Sequence, residues 1–389
     1  MLRALFLAMT VLVLPWEVAS ADAPSDLGAN AALKYWQAFA ALPRLTNADE
    51  QKLNAECVTM PLDAHARELV TKAEYAFKMM HGGAALPRCE WAVGFEEGVT
   101  TRLPQAEAAR ALTSLACLRA RIRFEEVRDA EAVDDLIAAL TLARQVSRDG
   151  YLVSILVRYA SEERLSQTLA AHMPNLNDTI LNDLKTRLGA LPPGGSTAQA
   201  VRDEEKSGLD WLVRAIKEAE RRVKGGEDEK QVLASLTEEA VREFVEKCGG
   251  TIEGVLKAAE EMRPWYAQTA EKWDLPLDQF DKEQERVATQ YASNPLFKMF
   301  TPGIIKVRQA QARADVRRAL LAAAIDIQLG GRQALKEALR SHPDPVVGGQ
   351  FDYQEFEGYF ELRSKWRLGS RPLYRDDSPL ALTVGQRGK

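Results

Sequence analysis

The chain has 389 residues, of which 46% are hydrophobic and 28% are charged, and its formal net charge is −5 at pH 7. This composition is typical of an ordinary globular protein and excludes a disordered or collagen-like chain. The negative net charge also argues against a protein that binds nucleic acid through a basic surface.

The first 21 residues have the pattern of a secretory signal peptide. Arg3 supplies a short basic start, residues 4–14 form an apolar run, and Ala19-Ser20-Ala21 offers a cleavage site after Ala21. A helix of that apolar run would rise about 16 Å, which is too short for a hydrocarbon core of about 30 Å. No later stretch is apolar for long enough to span a bilayer either. We therefore expect an exported protein, periplasmic or extracellular, that is not an integral membrane protein.

Export would bring four cysteines, Cys57, Cys89, Cys117 and Cys248, into an oxidising compartment where disulfides persist. Cys117 lies on the apolar face of a predicted helix, which is typical of a buried thiol. Cys57 and Cys89 each lie close to a proline and therefore near loops. Four cysteines allow three full pairings, and the sequence does not choose among them. We favour a Cys57–Cys89 bridge.

Most of the chain after the signal segment predicts amphipathic helices. Apolar residues recur at helical spacing in six stretches, around 111–122, 133–140, 152–159, 180–191, 209–216 and 316–327. Residues 103–191 resemble helical hairpins of tetratricopeptide size, but no consensus recurs at a fixed period. The sequence therefore predicts a mainly α fold, an irregular antiparallel helical array.

Capping and stop residues agree with these helices. Asn177, Thr237 and Thr251 are suitable N-caps, because their side chains can accept hydrogen bonds from the first turn. Pro192-Pro193-Gly194-Gly195, Gly225-Gly226 and Gly249-Gly250 are expected to end helices. The proline–glycine stretch also suggests a boundary within the helical domain, near 192–197.

The pattern changes to alternation after Pro345. Residues 351–353, 360–362 and 380–384 alternate apolar and polar side chains, with Glu357-Gly358 at a turn. This pattern predicts a hairpin and a third strand. Three short strands are rarely stable alone, so the sheet should pack on the helices. We therefore expect a helical domain over 22–342 and a small antiparallel β closure over 343–389.

Short catalytic motifs are absent from the sequence, including G-x-S-x-G, H-E-x-x-H, C-x-x-C and the phosphate-binding glycine loops. One cluster contains soft metal ligands within a short stretch: Cys57, Met60, His65, Met79, Met80, His81 and Cys89. Such ligands suit copper(I). Their spacings match no recognised ligand motif, however, so packing and disulfide roles are the preferred interpretation.

A second local feature is the segment with Trp91, Glu96 and Glu97, which we take as a candidate interaction loop. Carboxylates on a loop can serve as general acid and base. Adjacent residues usually point apart, however, whereas two carboxylates acting on one bond need a defined separation. An anchoring role for Trp91, with the acids capping a turn or pairing with Arg88 or Arg102, is therefore the simpler interpretation.

Residues 89–193 resemble a family of large, exported, helical bacterial proteins of unknown function. The resemblance rests on Cys89-x-Trp91, Phe95-Glu96-Glu97-Gly98, Leu103-Pro104 and Leu142-Ala143-Arg144. A closing segment, from Asp344-Pro345 to Tyr353, is similar to that family's Asp-Pro…Gly…Tyr ending, although its glycine and tyrosine are shifted. Gln105 stands where the pattern has a histidine. The resemblance implies export and a helical fold with a β closure, and it transfers no catalytic residue.

These features favour a non-enzymatic protein that binds another protein or a peptide of the cell envelope, because helical arrays offer concave docking surfaces. Only four histidines are present, which is a thin supply for catalysis. No cofactor, metal or nucleic-acid partner is expected. Two alternatives stay open, an enzyme that acts on an envelope polymer through groove carboxylates and a copper-handling protein.

Overall fold

The fold was analysed in a computed structural model that describes residues 29–236, 239–367 and 380–386. The predicted signal segment, its cleavage site at Ala21 and the predicted cap Thr237 lie outside these residues. The chain is mainly helical, with a small three-stranded antiparallel sheet near its end, which confirms the predicted fold class. Among the described helices, none is both long enough and apolar enough to cross a bilayer.

The described residues form fifteen α-helices. They are α1 Ala31–Ala40, α2 Asn47–Glu56, α3 Ala64–Lys72, α4 Glu74–Ala84, α5 Pro104–Glu125, α6 Asp129–Val146, α7 Leu152–His172, α8 Asp178–Gly189, α9 Thr197–Glu204, α10 Trp211–Lys224, α11 Glu229–Ala234, α12 Glu239–Lys247, α13 Ile252–Glu271, α14 Leu277–Gln290 and α15 Pro295–Ser341. A π-helical turn, Glu205–Asp210, joins α9 to α10.

Several helix ends lie where the sequence predicted them. The Asn177 side chain accepts a hydrogen bond from the Ile180 amide at 3.0 Å, and Thr251 Oγ1 accepts from the Gly254 amide at 3.1 Å. α10 ends directly before Gly225-Gly226, and α12 ends shortly before Gly249-Gly250. Local side-chain chemistry therefore sets these boundaries, as capping rules require.

The buried apolar side chains form two clusters. The first contains residues of α1–α6 and α8, the second halves of α7 and α15, and the sheet. The second contains residues of α9–α14 and the first halves of α7 and α15. α7 and α15 therefore belong to both clusters and pack against each other.

α15 contains two helix breakers, and the part before the second one already reaches both clusters. Pro302 lies near its start, and Gly331 interrupts its geometry with φ +60°. A left-handed φ is accessible to glycine without a steric cost from a Cβ atom. The chain therefore changes direction at Gly331 before its last ten residues.

The sheet contains β1 Asp352–Phe356, β2 Tyr359–Arg363 and β3 Ala381–Val384, in the order β1-β2-β3. Both pairings are antiparallel, with Phe356 opposite Tyr359 and Phe360 opposite Val384. The buried side chains of β2 and β3 join the first cluster, and β3 contacts α7 and α15. The Gly385 amide, just beyond β3, donates to the Ala170 carbonyl at 2.9 Å, which ties the sheet to α7.

One buried ion network joins α4, α5 and α6. The fully buried Asp135 carboxylate accepts hydrogen bonds from Arg119 Nε at 2.8 Å and Arg123 Nη1 at 2.7 Å. His81 Nε2 lies 2.8 Å from the same carboxylate. The Arg119 guanidinium also lies 3.7 Å from the ring centroid of Phe77. Each of these buried charged groups is therefore stabilised by the others in place of water.

Replacing Asp135 with alanine should leave the buried Arg119 without its main counter-ion. We expect Asp135→Ala to lower the free energy of unfolding by about 3–5 kcal/mol. The neighbouring Asp134, whose side chain is 49% exposed and pairs with Arg187, is the matched control. Asp134→Ala should cost less than about 1 kcal/mol. Urea unfolding of both variants measures the difference, and equal losses would contradict the role given to the buried network.

Candidate functional site

The segment from Cys89 to Thr101 is anchored by Trp91. The indole N–H of Trp91 donates to the Gln145 carbonyl at 2.8 Å, and the ring stacks on Tyr35 and Phe39 with centroids 6.0 Å apart in each case. Only 7% of Trp91 is exposed. Trp91 is therefore an anchor of the loop, as one of the two sequence interpretations held, and it offers little surface to a partner.

Glu96 and Glu97 lie at the exposed tip of the same loop. Within the described part of the chain, neither carboxylate forms the ion pair with Arg88 or Arg102 that the sequence suggested. Arg214 Nη2 instead approaches the Glu96 carbonyl at 3.4 Å. The structure therefore does not bring Trp91, Glu96 and Glu97 together in one recess.

Gly98 fixes the loop on α10. Its φ is +60°, and a Cβ atom at this position would lie 2.0 Å from Cγ of Trp211. Only glycine combines this backbone conformation with such a close approach. The Phe-Glu-Glu-Gly stretch is therefore a packing turn that closes the loop over the Trp211 ring.

Beneath the loop lies a small polar group around Tyr151, the residue before α7. The Tyr151 hydroxyl donates to the Gly94 carbonyl at 2.6 Å, and its ring packs on Phe95 with centroids 5.0 Å apart. Asp149 accepts from Gln105 Nε2 at 3.0 Å and from Ser154 Oγ at 2.5 Å. Burial raises the pKa of the Asp149 carboxyl, and these hydrogen bonds oppose the rise.

Glu204, at the end of α9, is the most perturbed acid near this group. Burial raises the pKa of its carboxyl to about 7. Its charge acts on Tyr151 and on Tyr266, whose buried hydroxyl finds no hydrogen-bond partner among the described residues. π-helical turns such as the one that follows Glu204 often occur at functional sites.

A wide recess lies beside the loop, at the start of α5. Two cavities of about 800 Å³ and 350 Å³ share the residues Pro104, Glu107 and Arg110 and therefore form one groove, which we call the α5 groove. Its other lining comes from the loop end, from α2 and the segment before it, and from α7: Leu42, Pro43, Leu45, Glu50, Leu53, Asn54, Thr101, Arg102, Leu103, Ala106, Ala108, Ala111, Val153 and Val157. A groove of this size accommodates several side chains of a bound molecule.

Two arginines give the α5 groove its charge. Arg102 is exposed and Arg110 is half-buried, and neither guanidinium makes an ion pair or a side-chain hydrogen bond with another described residue. The nearby apolar surface includes Val153, which is 55% exposed. The sequence did not distinguish these arginines as site residues, because isolated arginines near a helix start resemble an ordinary solvated surface.

The residues of the soft-ligand cluster contact different partners in the structure. His65 pairs with Asp49 at 2.7 Å and His81 with Asp135 at 2.8 Å, and Met60 and Met80 are buried in the first cluster. Among the described residues, no three His, Cys, Asp or Glu side chains are grouped so that they could hold a metal ion.

The expected Cys57–Cys89 bridge is not present, and all four cysteines are free. Cys57 follows α2, and its thiol lies beside Cys117 on α5, which lowers its pKa. Cys89 lies instead beside the start of α1, where its thiol interacts with the Ala32 amide and burial raises its pKa to about 12. The prediction was wrong because proximity to prolines indicates loops but does not indicate which loops meet.

Comparisons with known proteins do not assign the chain to a family. The sequence matches no protein-family model and no curated protein, and the fold matches no solved structure. The resemblance to exported helical bacterial proteins therefore stays a prediction.

The contact between Gly98 and Trp211 can be tested with a single methyl group. Gly98→Ala places a Cβ inside the Trp211 ring and imposes a left-handed φ on alanine, so it should lower the free energy of unfolding by about 2–4 kcal/mol. Gly250→Ala is the control, because Gly250 also has a left-handed φ, +73°, but no atom within 4 Å of the new Cβ. It should cost only about 1 kcal/mol. Denaturant unfolding and hydrogen exchange of the loop measure both variants. A cost at Gly98 no larger than at Gly250 would contradict the packing role.

Glu204 should make stability fall as the pH rises. Its carboxyl pKa is about 7 in the folded chain against an ordinary 4.5, so in this range the folded state holds a proton that the unfolded state releases. The stabilisation that comes from that proton is fully present below the unfolded-state pKa of 4.5, and it is lost as the pH rises through the folded-state pKa of about 7. Glu204→Gln should therefore raise the free energy of unfolding by about 1–3 kcal/mol at pH 8 and leave it unchanged at pH 4.

The exposed Glu243 on α12 provides the control for this pH dependence. Glu243→Gln should change the free energy of unfolding by the same small amount at pH 4 and at pH 8. Thermal unfolding across pH 4–8 is the measurement, and a Glu204→Gln profile parallel to that of the unmodified chain would contradict the assignment.

Proposed function

We propose that the chain is an exported, non-enzymatic binding protein whose α5 groove takes an acidic, partly apolar peptide segment of an envelope protein. Export is supported by the signal-like pattern of residues 1–21. The observation that carries the binding role is the pair Arg102 and Arg110, which form no ion pair with another described residue and lie beside an open groove.

The shape of the α5 groove suits an extended segment. Its two cavities follow one another across the first turns of α5, so a ligand that fills both must pass over Pro104 and Glu107. Leu103 and Val157 offer apolar contacts on one side, and Leu42 and Leu45 on the other. Spaced apolar side chains of a peptide would bury surface at both ends, which supplies the non-directional part of the affinity.

Charge selects the ligand class. A guanidinium without a counter-ion is free to form a bidentate hydrogen-bonded pair with a carboxylate, and such pairs are stronger than neutral hydrogen bonds. In the larger cavity, the two arginines outweigh the single negative charge of Glu107. An acidic segment is therefore favoured over a basic one, and the attraction also speeds association.

The enzymatic alternative rested on Glu96 and Glu97, and these residues line neither cavity of the α5 groove. Glu50 and Glu107 do line it, and both belong to the smaller cavity, beside Arg110. The larger cavity, which contains Arg102 and Arg110, supports recognition of a ligand.

Reversing the groove charge should abolish recognition of acidic peptides. We expect the double variant Arg102→Glu, Arg110→Glu to bind labelled peptides with alternating Asp or Glu and Leu or Phe at least about tenfold more weakly, since each charge-assisted pair is worth about 1.5–3 kcal/mol. Fluorescence polarisation at two salt concentrations measures the affinity, which should fall with added salt in the unmodified chain.

The matched control reverses two exposed cations on α12, Arg242→Glu and Lys247→Glu, and so makes the same change in net charge. It should bind the acidic peptides as the unmodified chain does. Peptides with Lys in place of the acids should bind poorly to the unmodified chain. Equal binding of both peptide sets, or undiminished affinity in the groove variant, would contradict the proposal.

A further inference from the structure

Two buried thiols meet where α2 ends against the middle of α5. Cys57 is 1% exposed and Cys117 is fully buried, and each thiol shifts the pKa of the other. A cysteine pair in the structure lies 4.2 Å apart without a bond between them. Burial is the main influence on the pKa of the Cys89 and Cys248 thiols, and no cysteine contributes to either shift.

Two arginines lie beside this pair in the folded chain. Arg121 donates from Nη1 to the Cys57 carbonyl at 2.9 Å and from Nη2 to the Met60 carbonyl at 2.8 Å. Arg164 donates to Ser114 Oγ at 2.8 Å. In the folded chain, the Cys117 side chain, followed by the charges of Arg164 and Arg121, lowers the pKa of the Cys57 thiol.

We propose that Cys57 and Cys117 are an oxidation site that becomes a disulfide, which fastens α2 to α5. The oxidant is a small or protein disulfide of the kind present in oxidising compartments. The Cys57 thiolate attacks one sulfur of that disulfide and releases the other sulfur as a thiolate. The Cys117 thiolate then attacks the Cys57 sulfur of the mixed disulfide and releases the second thiolate. Two protein thiols lose two electrons, the oxidant gains them, and the released thiolates take up the two protons.

Burial determines when this reaction takes place. An oxidant cannot reach two thiols that are covered by α2 and α5, so the mixed disulfide forms on the folding chain before α2 has packed. Closure of α2 onto α5 then brings Cys117 to the Cys57 sulfur. The bond would fix the α2 side of the α5 groove, where Leu53 and Asn54 line the smaller cavity. The disulfide itself does not depend on the proposed binding role.

The test uses the full chain refolded with glutathione and glutathione disulfide, followed by tryptic mapping without reduction. Each cysteine falls in a different tryptic peptide: 53–67 for Cys57, 89–102 for Cys89, 111–119 for Cys117 and 248–257 for Cys248. We expect peptide 53–67 linked to 111–119. Cys57→Ser and Cys117→Ser should each remove the linked peptide, whereas Cys89→Ser, at another buried free thiol, should leave it.

A second measurement remains informative if one serine variant folds poorly. A bridge that closes this long loop should raise the thermal midpoint, so adding reductant to the oxidised chain should lower it by about 10 °C. Cys89→Ser should show the same fall, and Cys57→Ser should show none. Recovery of 53–67 linked to 89–102, or four free thiols after refolding with the oxidant, would overturn the proposal. If the thermal midpoint of the bridged chain did not change in reductant, the proposal that the bridge fastens α2 to α5 would be overturned.

Discussion

The carboxylate of Glu162, in the middle of α7, holds together the place where the two apolar clusters meet. It accepts from Arg144 Nε at 3.0 Å and from Arg158 Nε at 3.1 Å, and all three side chains are largely buried. The same arginines donate to the carbonyls of Pro192 at 3.2 Å and Gly195 at 3.4 Å. A buried charge is tolerated only with its partners in place. This interaction therefore fixes α6, α7 and the connection to α9 at once.

Much of the fold could be predicted from the sequence because periodicity and capping are local. The apolar stripes of α5 to α8, the Asn177 cap and the alternation in β2 each depend on neighbouring residues only. Asp135 and Glu162 escaped prediction because their partners lie on other helices, and a charged residue within an amphipathic pattern looks solvent-exposed. The neighbour of Cys57 could not be predicted for the same reason, because helix packing brings Cys117 next to it.

The predicted interaction loop illustrates how a recognisable motif can serve packing. Trp91 holds one end of the loop in the first apolar cluster, and Gly98 holds its middle on α10. The loop end, near Arg102, then becomes a wall of the α5 groove. Side chains that bind need a rigid support, so the residues with the most recognisable motif serve as that support. The less distinctive arginines face the open space.

The first apolar cluster is built from both ends of the described chain, with buried residues in 31–184 and 316–384, whereas the second lies between 152 and 314. During synthesis from the N-terminus, the chain can therefore complete the second cluster while the first cluster still lacks the end of α15 and the sheet. Contacts between residues so far apart in sequence form slowly, because a long loop must close before they contribute. The N-terminal helices should therefore complete their packing only after β3 has joined the sheet. A truncation that removes β3 would leave the first cluster, to which the earliest-synthesised helices belong, incompletely packed.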